Sequence, residues 1–443
     1  MRAVVRPAYR RPLLWWSGTR VLLLLWATTV LPWFSHGSEI GDVAIYRGWA
    51  ELMQTGTFPV HDTQWQYPPA AALVFLIPQW ATHLGLSYIL AFFLFALVAD
   101  FAVLALLVAH ADRNAAQRCV DGTEHAAHLG GVWAWILGGF AIGPLLLMRY
   151  DVIVTALAVG GLVAPARSVR ARWSVRGALI GLGAMVKAWP AGLILGLPPK
   201  GPGRRAVAWA AGTAFAVTAA LSLMMSGAFS FLGGQSSRGI EVESVLASPF
   251  MIASWFGYPV KVVHEYGAFQ ISGPGVNALA SFAELLTVLG LGLVLWWRLL
   301  RFKQRAWTPA LMYDVAFTVV LVLVVTSRVL SPQYLIWLLG LTALVFTENA
   351  PTRRATVLAR PAMLVFGCVL VTQIEFPLLF GEVMGGQFWG TMLVAVRNVV
   401  LVVACVLSLR ALWNSGPADP ADPADDETGQ TRPDSLAQAT HGR

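Results

Sequence analysis

An aspartate near the start of the chain has the setting of a general base. Asp42 lies in the segment 41–56, where apolar residues recur at helical spacing and Gly56 suits a helix end. A carboxylate at the boundary between lipid and water, just after a first apolar segment, can take a proton from a hydroxyl group. The alternative is that Asp42 only caps its helix, which contributes about 1 kcal/mol.

Three basic residues stand where a membrane chain normally avoids positive charge. Lys187 interrupts an apolar span, Arg328 ends another, and Arg238 lies in a Gly- and Ser-rich segment. We predict that these cations hold an anionic leaving group such as a phosphate. The alternative for each is snorkelling to the membrane surface or pairing with a carboxylate. The nearby carboxylates are Asp151, Glu241 and Glu243.

A second polar segment, 227–275, mixes carboxylates with aromatic residues and includes Glu241, Glu243 and His264. Aromatic faces stack on pyranose rings and carboxylates accept hydrogen bonds from sugar hydroxyls, so this mixture suits sugar recognition. The alternative for any one of these residues is an ordinary solvated loop. No second His or Cys accompanies His264 at a metal-ligand spacing, and we expect neither a metal ion nor another cofactor.

The elements that must position these residues are helices in a membrane. Of the 443 residues 57% are hydrophobic and only 12% are charged, whereas soluble proteins carry about 25% charged residues. A water-soluble globule is therefore excluded. The apolar runs are continuous and of helix length, which also argues against a β-barrel. The fold class predicted is an all-α integral membrane protein, a bundle of about 12 transmembrane helices.

Clusters of basic residues predict the topology. They can all be cytoplasmic if the segment 69–84 does not cross and 177–199 crosses twice, with Lys187 near the tip of the hairpin. Both termini are then cytoplasmic, and two long loops lie outside: L1 (35–86) and L2 (227–275). Asp100 and Glu284 lie within spans, where we expect them to pair with other helices.

The predicted domain organisation has three parts. They are a cytoplasmic N-terminus (1–15), a polytopic membrane domain (16–411) and an acidic, Pro-rich cytoplasmic tail expected to be disordered (412–443). The net charge of +8 is spread between the apolar runs, which argues against binding of nucleic acid. No phosphate-binding glycine motif is present, which argues against a nucleotide-binding domain. The three Cys are far apart and indicate neither a disulfide framework nor a zinc site.

Taken together, the motifs resemble glycosyltransferase family 87, polyprenol-phosphate-sugar-dependent membrane enzymes of the GT-C superfamily that include α-mannosyltransferases. The resemblance runs from about residue 16 to 411. It is carried by Asp42 with Tyr46 after it, Tyr-Pro-Pro at 67–69, Met-Arg-Tyr-Asp at 148–151, Lys187 before Pro190, and Ser-Pro-Gln-Tyr-Leu-Ile-Trp at 331–337. The resemblance implies that Asp42 is the catalytic base. Members that build phosphatidylinositol mannosides look as though they carry histidine after the Ser-Pro pair, where this chain has Gln333 and Tyr334, so the acceptor stays open.

We therefore expect a membrane glycosyltransferase that moves a hexose, mannose by resemblance, from polyprenyl phosphate to a lipid-linked or cell-envelope glycan on the extracytoplasmic face. One carboxylate and a few cations suffice for this inverting transfer, because lipid phosphate is a good leaving group. A glycosidase would need two facing carboxyl groups, and the loops show no obvious pair. The predicted substrate contacts are Tyr46, Tyr67, Glu241, Glu243, His264, Gln333 and Tyr334.

The alternative function is a transporter or flippase of a lipid-linked saccharide, which would have a similar number of spans. Such proteins usually contain repeats with a broken helix in each half. This chain has one clear broken span, at Lys187, and no second copy of the segment 42–69 in its C-terminal half. The predicted partners are therefore a polyprenyl-phosphate-linked sugar donor, a lipid or glycan acceptor and membrane lipid.

Overall fold

The computed structural model describes residues 7–28, 30, 41–118, 126–234, 239–301, 307–350 and 353–415. Most of these residues are helical, with a few short strands. The predicted tail after 415, the N-terminal residues 1–6 and Arg238 lie outside the described residues.

The α-helices of the described part are α1 (Pro7–Ala27), α2 (Gly41–Met53), α3 (Ala71–Ala81), α4 (Tyr88–Arg118), α5 (Gly130–Ala141), α6 (Leu145–Met148), α7 (Asp151–Val163), α8 (Val169–Val186), α9 (Pro202–Met224), α10 (Phe231–Gly234), α11 (Ala247–Ser254), α12 (Val276–Arg301), α13 (Pro309–Thr326), α14 (Tyr334–Glu348), α15 (Ala359–Gln373), α16 (Phe380–Met384) and α17 (Phe388–Asn414). Short 3₁₀ segments follow α3 (Thr82–Leu84) and α8 (Trp189–Gly196), and one π-helical turn follows α15 (Ile374–Leu378).

Six of the described helices are long and apolar enough to cross a membrane. They are Tyr88–Ala116, Pro202–Met224, Val276–Arg301, Pro309–Thr326, Ala359–Leu378 and Phe388–Asn414. Four shorter apolar helices accompany them: Ala71–Leu84, Gly130–Ala141, Asp151–Val163 and Tyr334–Glu348. These helices confirm the predicted all-α, multi-span membrane protein, whereas the count of about twelve crossings stays a prediction.

The centre of the bundle is α13, which is 83% buried over its most apolar window, with α14 packed beside it. By contrast, α9 and α12 are only 11% buried and lie at the edge, where lipid covers them. α9 packs closely on α8 because small residues face each other. A Cβ atom at Gly177 or Gly181 would lie only 2.1 or 2.2 Å from the backbone oxygens of Ala206 and Ala210, respectively.

Charges inside the bundle are paired. Arg20 binds Asp100 at 2.9 Å, and Trp16 donates a further hydrogen bond to Asp100 at 2.6 Å. Glu284 pairs with Arg328 at 3.0 Å. The predicted interhelical pairing is therefore confirmed for Asp100, which joins α4 to α1, whereas Glu284 of α12 pairs with a residue that follows the end of α13. Such pairs lower the cost of keeping charge in a low-dielectric interior.

L1 and L2 meet at one end of the bundle. The L1 backbone at Phe58 donates a hydrogen bond of 3.0 Å to the carbonyl of Ser226, next to L2. L2 contains β1 (Ile240–Glu241), β2 (Lys261–Glu265) and β3 (Ala268–Ser272), an antiparallel sheet in the order β1-β3-β2. Sequence patterns did not predict this sheet. Two further short strands, β4 (Asn349–Ala350) and β5 (Arg353–Arg354), pair elsewhere in the chain.

The β2-β3 hairpin turns through Tyr266 and Gly267, both with positive φ (53° and 71°). A left-handed turn of this kind matches the twist of a two-residue hairpin and favours glycine. A Cβ atom at Gly267 would lie 2.9 Å from the Gln64 side chain. The hairpin tip of L2 therefore rests directly against L1.

Candidate active site

A cavity of about 300 Å³ lies where L1 and L2 meet. Seven of the eleven predicted site residues line it: Asp42, Tyr46, Tyr67, Glu241, Glu243, His264 and Gln333. Ser331 and Pro332, which precede Gln333, and the hairpin tip of L2 also line the cavity, together with the apolar side chains of Ile45, Phe269, Phe376 and Phe380. A lining that contains both polar and apolar side chains suits a ligand with a lipid part and a sugar part.

Three of the remaining predicted residues are described and do not line the cavity, and the fourth is not described. Lys187, Arg328 and Tyr334 are not among the residues that line the cavity. Arg238 lies outside the described residues, so its place relative to the cavity stays a prediction.

Asp42 reaches the cavity from the first turn of α2, which is described from Gly41. A carboxylate in a first turn interacts favourably with the helix dipole, so the helix-end role considered for Asp42 is compatible with its position. The side chain is 28% exposed and forms an ion pair with Nη1 of Arg149. The carboxylate is therefore accessible from the cavity and held by a cation.

An aromatic cluster holds α2 in place. Tyr46 stacks on Phe75 of α3 with ring centroids 4.7 Å apart, and it meets Tyr150 edge-on at 5.8 Å. Tyr67 also packs edge-on against Tyr150, at 5.4 Å. Burial raises the pKa of Tyr46, so this phenol stays neutral. The cluster ties α2 of L1 to the residue that follows Arg149.

Arg149 is the cationic residue that sequence reasoning did not choose. Among the described residues that line the cavity, it is the one with a permanently charged side chain of positive sign. It lies between α6 and α7 with extended backbone (φ −113°, ψ 140°), and its side chain is 17% exposed. The signal was present in the sequence, because Arg149 stands in the Met-Arg-Tyr-Asp motif at a break between two apolar segments.

Lys187 lies behind this corner and holds it. Its Nζ donates a hydrogen bond of 2.7 Å to Asp151, which also accepts one from Trp337 at 2.6 Å. The ammonium group sits 4.8 Å from the ring centre of Tyr150, 5.0 Å from that of Tyr334 and 4.7 Å from that of Trp337. Such a cage of aromatic faces and one carboxylate stabilises a buried cation. Lys187 is therefore paired with a carboxylate, as in the alternative to phosphate binding.

Arg328 also has a carboxylate partner, Glu284 of α12, at 3.0 Å. Its backbone carbonyl accepts a hydrogen bond of 2.9 Å from the amide of Glu241. Glu241 in turn accepts a hydrogen bond of 2.8 Å from Ser331. Arg328 therefore lies next to residues of the cavity wall and fixes the position of β1.

Three acidic side chains, Asp42, Glu241 and Glu243, converge on the cavity from L1 and L2. The sequence predicts each of the three as a site residue, and the structure brings the L1 carboxylate next to the two of L2, which are two residues apart in the chain. Among the described residues, no group of three His, Cys, Asp or Glu side chains is placed to hold a metal ion.

A sequence profile of glycosyltransferase family 87 matches residues 65–332, which is more than half of the 443 residues. The chain belongs to glycosyltransferase family 87. No curated protein and no solved structure matches it. As a family 87 member it is a multi-pass membrane glycosyltransferase, which acts on a sugar donor and an acceptor. The matched region contains Tyr67, Arg149 and all of L2, whereas Asp42 precedes it.

The buried pair behind the cavity gives a test of how Lys187 acts. In the Lys187→Met variant, Asp151, which is 1% exposed, loses its cation. We expect the free energy of unfolding to fall by about 3 kcal/mol or more. The double variant Lys187→Met/Asp151→Asn should recover part of this loss, which thermal unfolding in detergent measures. Equal stability of the single and double variants would contradict the pairing.

Proposed function

We propose that this family 87 protein transfers a hexose, mannose by resemblance, from a polyprenyl-phosphate-linked donor to a hydroxyl group of a lipid-linked or cell-envelope glycan on the extracytoplasmic face. The observation that carries the proposal is the pairing of Asp42 with Arg149 in a cavity that also contains the carboxylates and aromatic residues of L2. A base, a cation for the leaving group and sugar-binding groups are then within one site.

The proposed reaction is a single displacement. The acceptor oxygen forms a bond to C1 of the donor sugar, while the bond from C1 to the phosphate oxygen breaks. Asp42 takes the proton of the acceptor hydroxyl, and the polyprenyl phosphate leaves with the electron pair. Attack opposite the leaving group inverts the anomeric centre. Arg149 neutralises the charge that develops on the phosphate, and its planar guanidinium can contact two phosphate oxygens at once.

The geometry changes which cation we assign to the phosphate. Arg149 lines the cavity, whereas Lys187 and Arg328 stand behind its wall. We propose that Lys187 positions the corner 149–151 and that Arg328 positions Glu241. Arg238, three residues before Glu241 in the sequence, remains a second candidate for contact with the phosphate.

The ion pair also orders the proposed steps. While Asp42 is bound to Arg149, its carboxylate is engaged by the cation. An incoming donor brings a phosphate that competes for Arg149, and the carboxylate is then released to accept a proton. Binding of the donor would therefore activate the base before the acceptor reacts. The sugar would lie against Tyr67 and Phe269, whose faces suit a pyranose ring.

Replacement of Asp42 by Asn tests the base. We expect kcat to fall by at least about 100-fold, because an amide cannot take the proton, while the donor still binds. The assay uses purified protein in lipid vesicles with labelled polyprenyl-phosphate-mannose and a glycan acceptor. Glu51→Gln is the matched control, since Glu51 lies on the same helix in an exposed pair with Arg47. Turnover near that of the wild type in Asp42→Asn would remove Asp42 from the mechanism.

Replacement of Arg149 by Met tests the phosphate contact. We expect the KM for the donor to rise by at least about tenfold, since a charged hydrogen bond is lost, with a smaller effect on the acceptor. The Arg328→Ala variant is the comparison, and its donor KM should change much less because Arg328 does not line the cavity. The reverse order of these two effects would favour Arg328 as the phosphate ligand.

The side of the membrane is tested by labelling. Arg47, on α2 with a side chain 60% exposed, is changed to Cys in a protein whose three native Cys are replaced. A reagent that cannot cross the membrane should label the Arg47→Cys variant in intact cells. The exposed Arg410 of α17, changed to Cys, should react only after the cells are opened. The opposite pattern would place the site in the cytoplasm and contradict the proposed location.

A further inference from the structure

Glu243 connects the cavity to a buried cluster that contains two carboxyl groups and one guanidinium group. Glu243 is 5% exposed, Glu375 is 0% exposed and Arg397 is 2% exposed. Glu243 belongs to L2, Glu375 to the π-helical turn after α15, and Arg397 to α17. Of the three, Glu243 is the one that lines the cavity.

The guanidinium group neutralises Glu375 and not the Glu243 carboxyl group. Nη1 of Arg397 donates hydrogen bonds to both carboxyl oxygens of Glu375. Nη2 donates to the backbone carbonyl of Glu243 at 2.7 Å and to the side-chain oxygen of Asn398 at 3.0 Å. The positive charge of Arg397 therefore neutralises the Glu375 carboxylate. The contact of Arg397 with Glu243 only holds the Glu243 backbone in place.

The Glu243 carboxyl group faces charges of both signs. Glu375 lies close enough to share a hydrogen bond with it, and Glu241 adds a second negative neighbour. Arg397 opposes these charges, and Arg149 also interacts electrostatically with Glu243. Arg397 is paired with Glu375, and Arg149 is paired with Asp42.

Two buried carboxyl groups that contact each other cannot both ionise beside one cation, so one of them keeps a proton. Burial, with the neighbouring Glu375 second, raises the pKa of Glu243. A proton on Glu243 that points to Glu375 leaves the carbonyl oxygen of the Glu243 carboxyl group to accept another bond. Among the described residues, one oxygen of this group, Oε1, is buried without a hydrogen-bond partner, so the hydrogen bonds of the carboxyl group are incomplete. Because Glu243 lines a polar cavity, a hydroxyl group of a ligand can complete them.

We propose that Glu243 is a neutral acid in the working enzyme, bonded through its proton to Glu375, and that its carbonyl oxygen accepts a hydrogen bond from a hydroxyl group of the donor sugar. This inference rests on the proposed function and names a contact within that site. Glu243 lies close enough to Arg149 for their charges to interact. Since Arg149 is the proposed phosphate ligand, the sugar next to Glu243 is the donor sugar, which is attached to that phosphate.

Neutrality of Glu243 matters for an anionic donor. Asp42 and Arg149 cancel each other, and Glu241 already contributes a negative charge to the wall. A second carboxylate would repel the donor phosphate in a partly desolvated cavity. A neutral carbonyl oxygen accepts the same sugar hydroxyl without this repulsion. Ionisation of Glu243 should therefore weaken donor binding.

The test compares Glu243→Gln with Glu243→Ala across pH. Gln can donate its amide hydrogen to Glu375 and offer its oxygen to the sugar, so it mimics the neutral acid. We expect the donor KM of Glu243→Gln to stay within about threefold of the wild-type value at neutral pH, and that of Glu243→Ala to rise about tenfold. The wild-type donor KM should rise as the pH passes the raised pKa of Glu243, because the carboxylate forms there. This rise should be absent in Glu243→Gln.

Glu241→Gln is the matched control, since Glu241 lines the same cavity but bonds to Ser331. The wild-type rise of donor KM with pH should persist in this variant. Thermal unfolding should first show that both Glu243 variants are folded. If the donor KM of Glu243→Gln is then as high as that of Glu243→Ala, the inference is overturned and the proposed function stays intact.

Infrared spectroscopy gives a readout that needs no turnover. At neutral pH, the protein without substrate should show the carbonyl band of a protonated carboxylic acid. This band should be absent from Glu243→Gln and present in Glu241→Gln. A band that persists in Glu243→Gln would overturn the assignment of the proton. If the band behaves as expected but the wild-type protein transfers no sugar, the proposed function fails and the sugar contact fails with it.

Discussion

Burial of a positive charge at the break between α6 and α7 is the constraint on which the site depends. Most of the Arg149 side chain is buried, so it needs a negative partner, and it has Asp42 from a helix more than a hundred residues earlier. The corner that carries Arg149 is itself fixed by Lys187 and Asp151, which meet at 2.7 Å. The proposed base, the proposed phosphate ligand and the helix break therefore form one unit. Movement of any part would alter the distance between base and leaving group.

The membrane explains why the charges are arranged as pairs. With lipid as the solvent, an unpaired ion inside the bundle is costly. Among the described residues, a carboxylate partner is present for Arg20, Arg149, Lys187, Arg328 and Arg397. The partner decides what a cation can do. Lys187 is enclosed by aromatic rings and Asp151, so it supports the structure. Arg149 is paired with a carboxylate that itself lines the cavity, and a ligand can separate these two.

The fold class could be predicted because hydrophobic content and the length of apolar runs are local properties of the sequence. The two loops that build the site were also visible, as long polar segments between spans, and seven predicted residues line one cavity. Ion pairing between distant positions was not visible. Lys187 and Asp151 are 36 residues apart, and Arg397 reaches the backbone of Glu243 across 154 residues. The position of Lys187 within an apolar span is unusual in the sequence, whereas the importance of Arg149 becomes visible only through its ion pair with Asp42.

Because the charges of the site nearly cancel, the donor must bind before the base can remove a proton. In the resting protein Asp42 is bound by Arg149, so a strong base is not presented to water or to an acceptor alone. The donor phosphate supplies the negative charge that takes over Arg149, and the same charge must later leave with the lipid. Activation of the base and stabilisation of the leaving group thus depend on one guanidinium group. A neutral Glu243 contributes an oxygen to sugar binding without competing with the phosphate for Arg149. Proton removal by Asp42 then occurs only when a leaving group is in place.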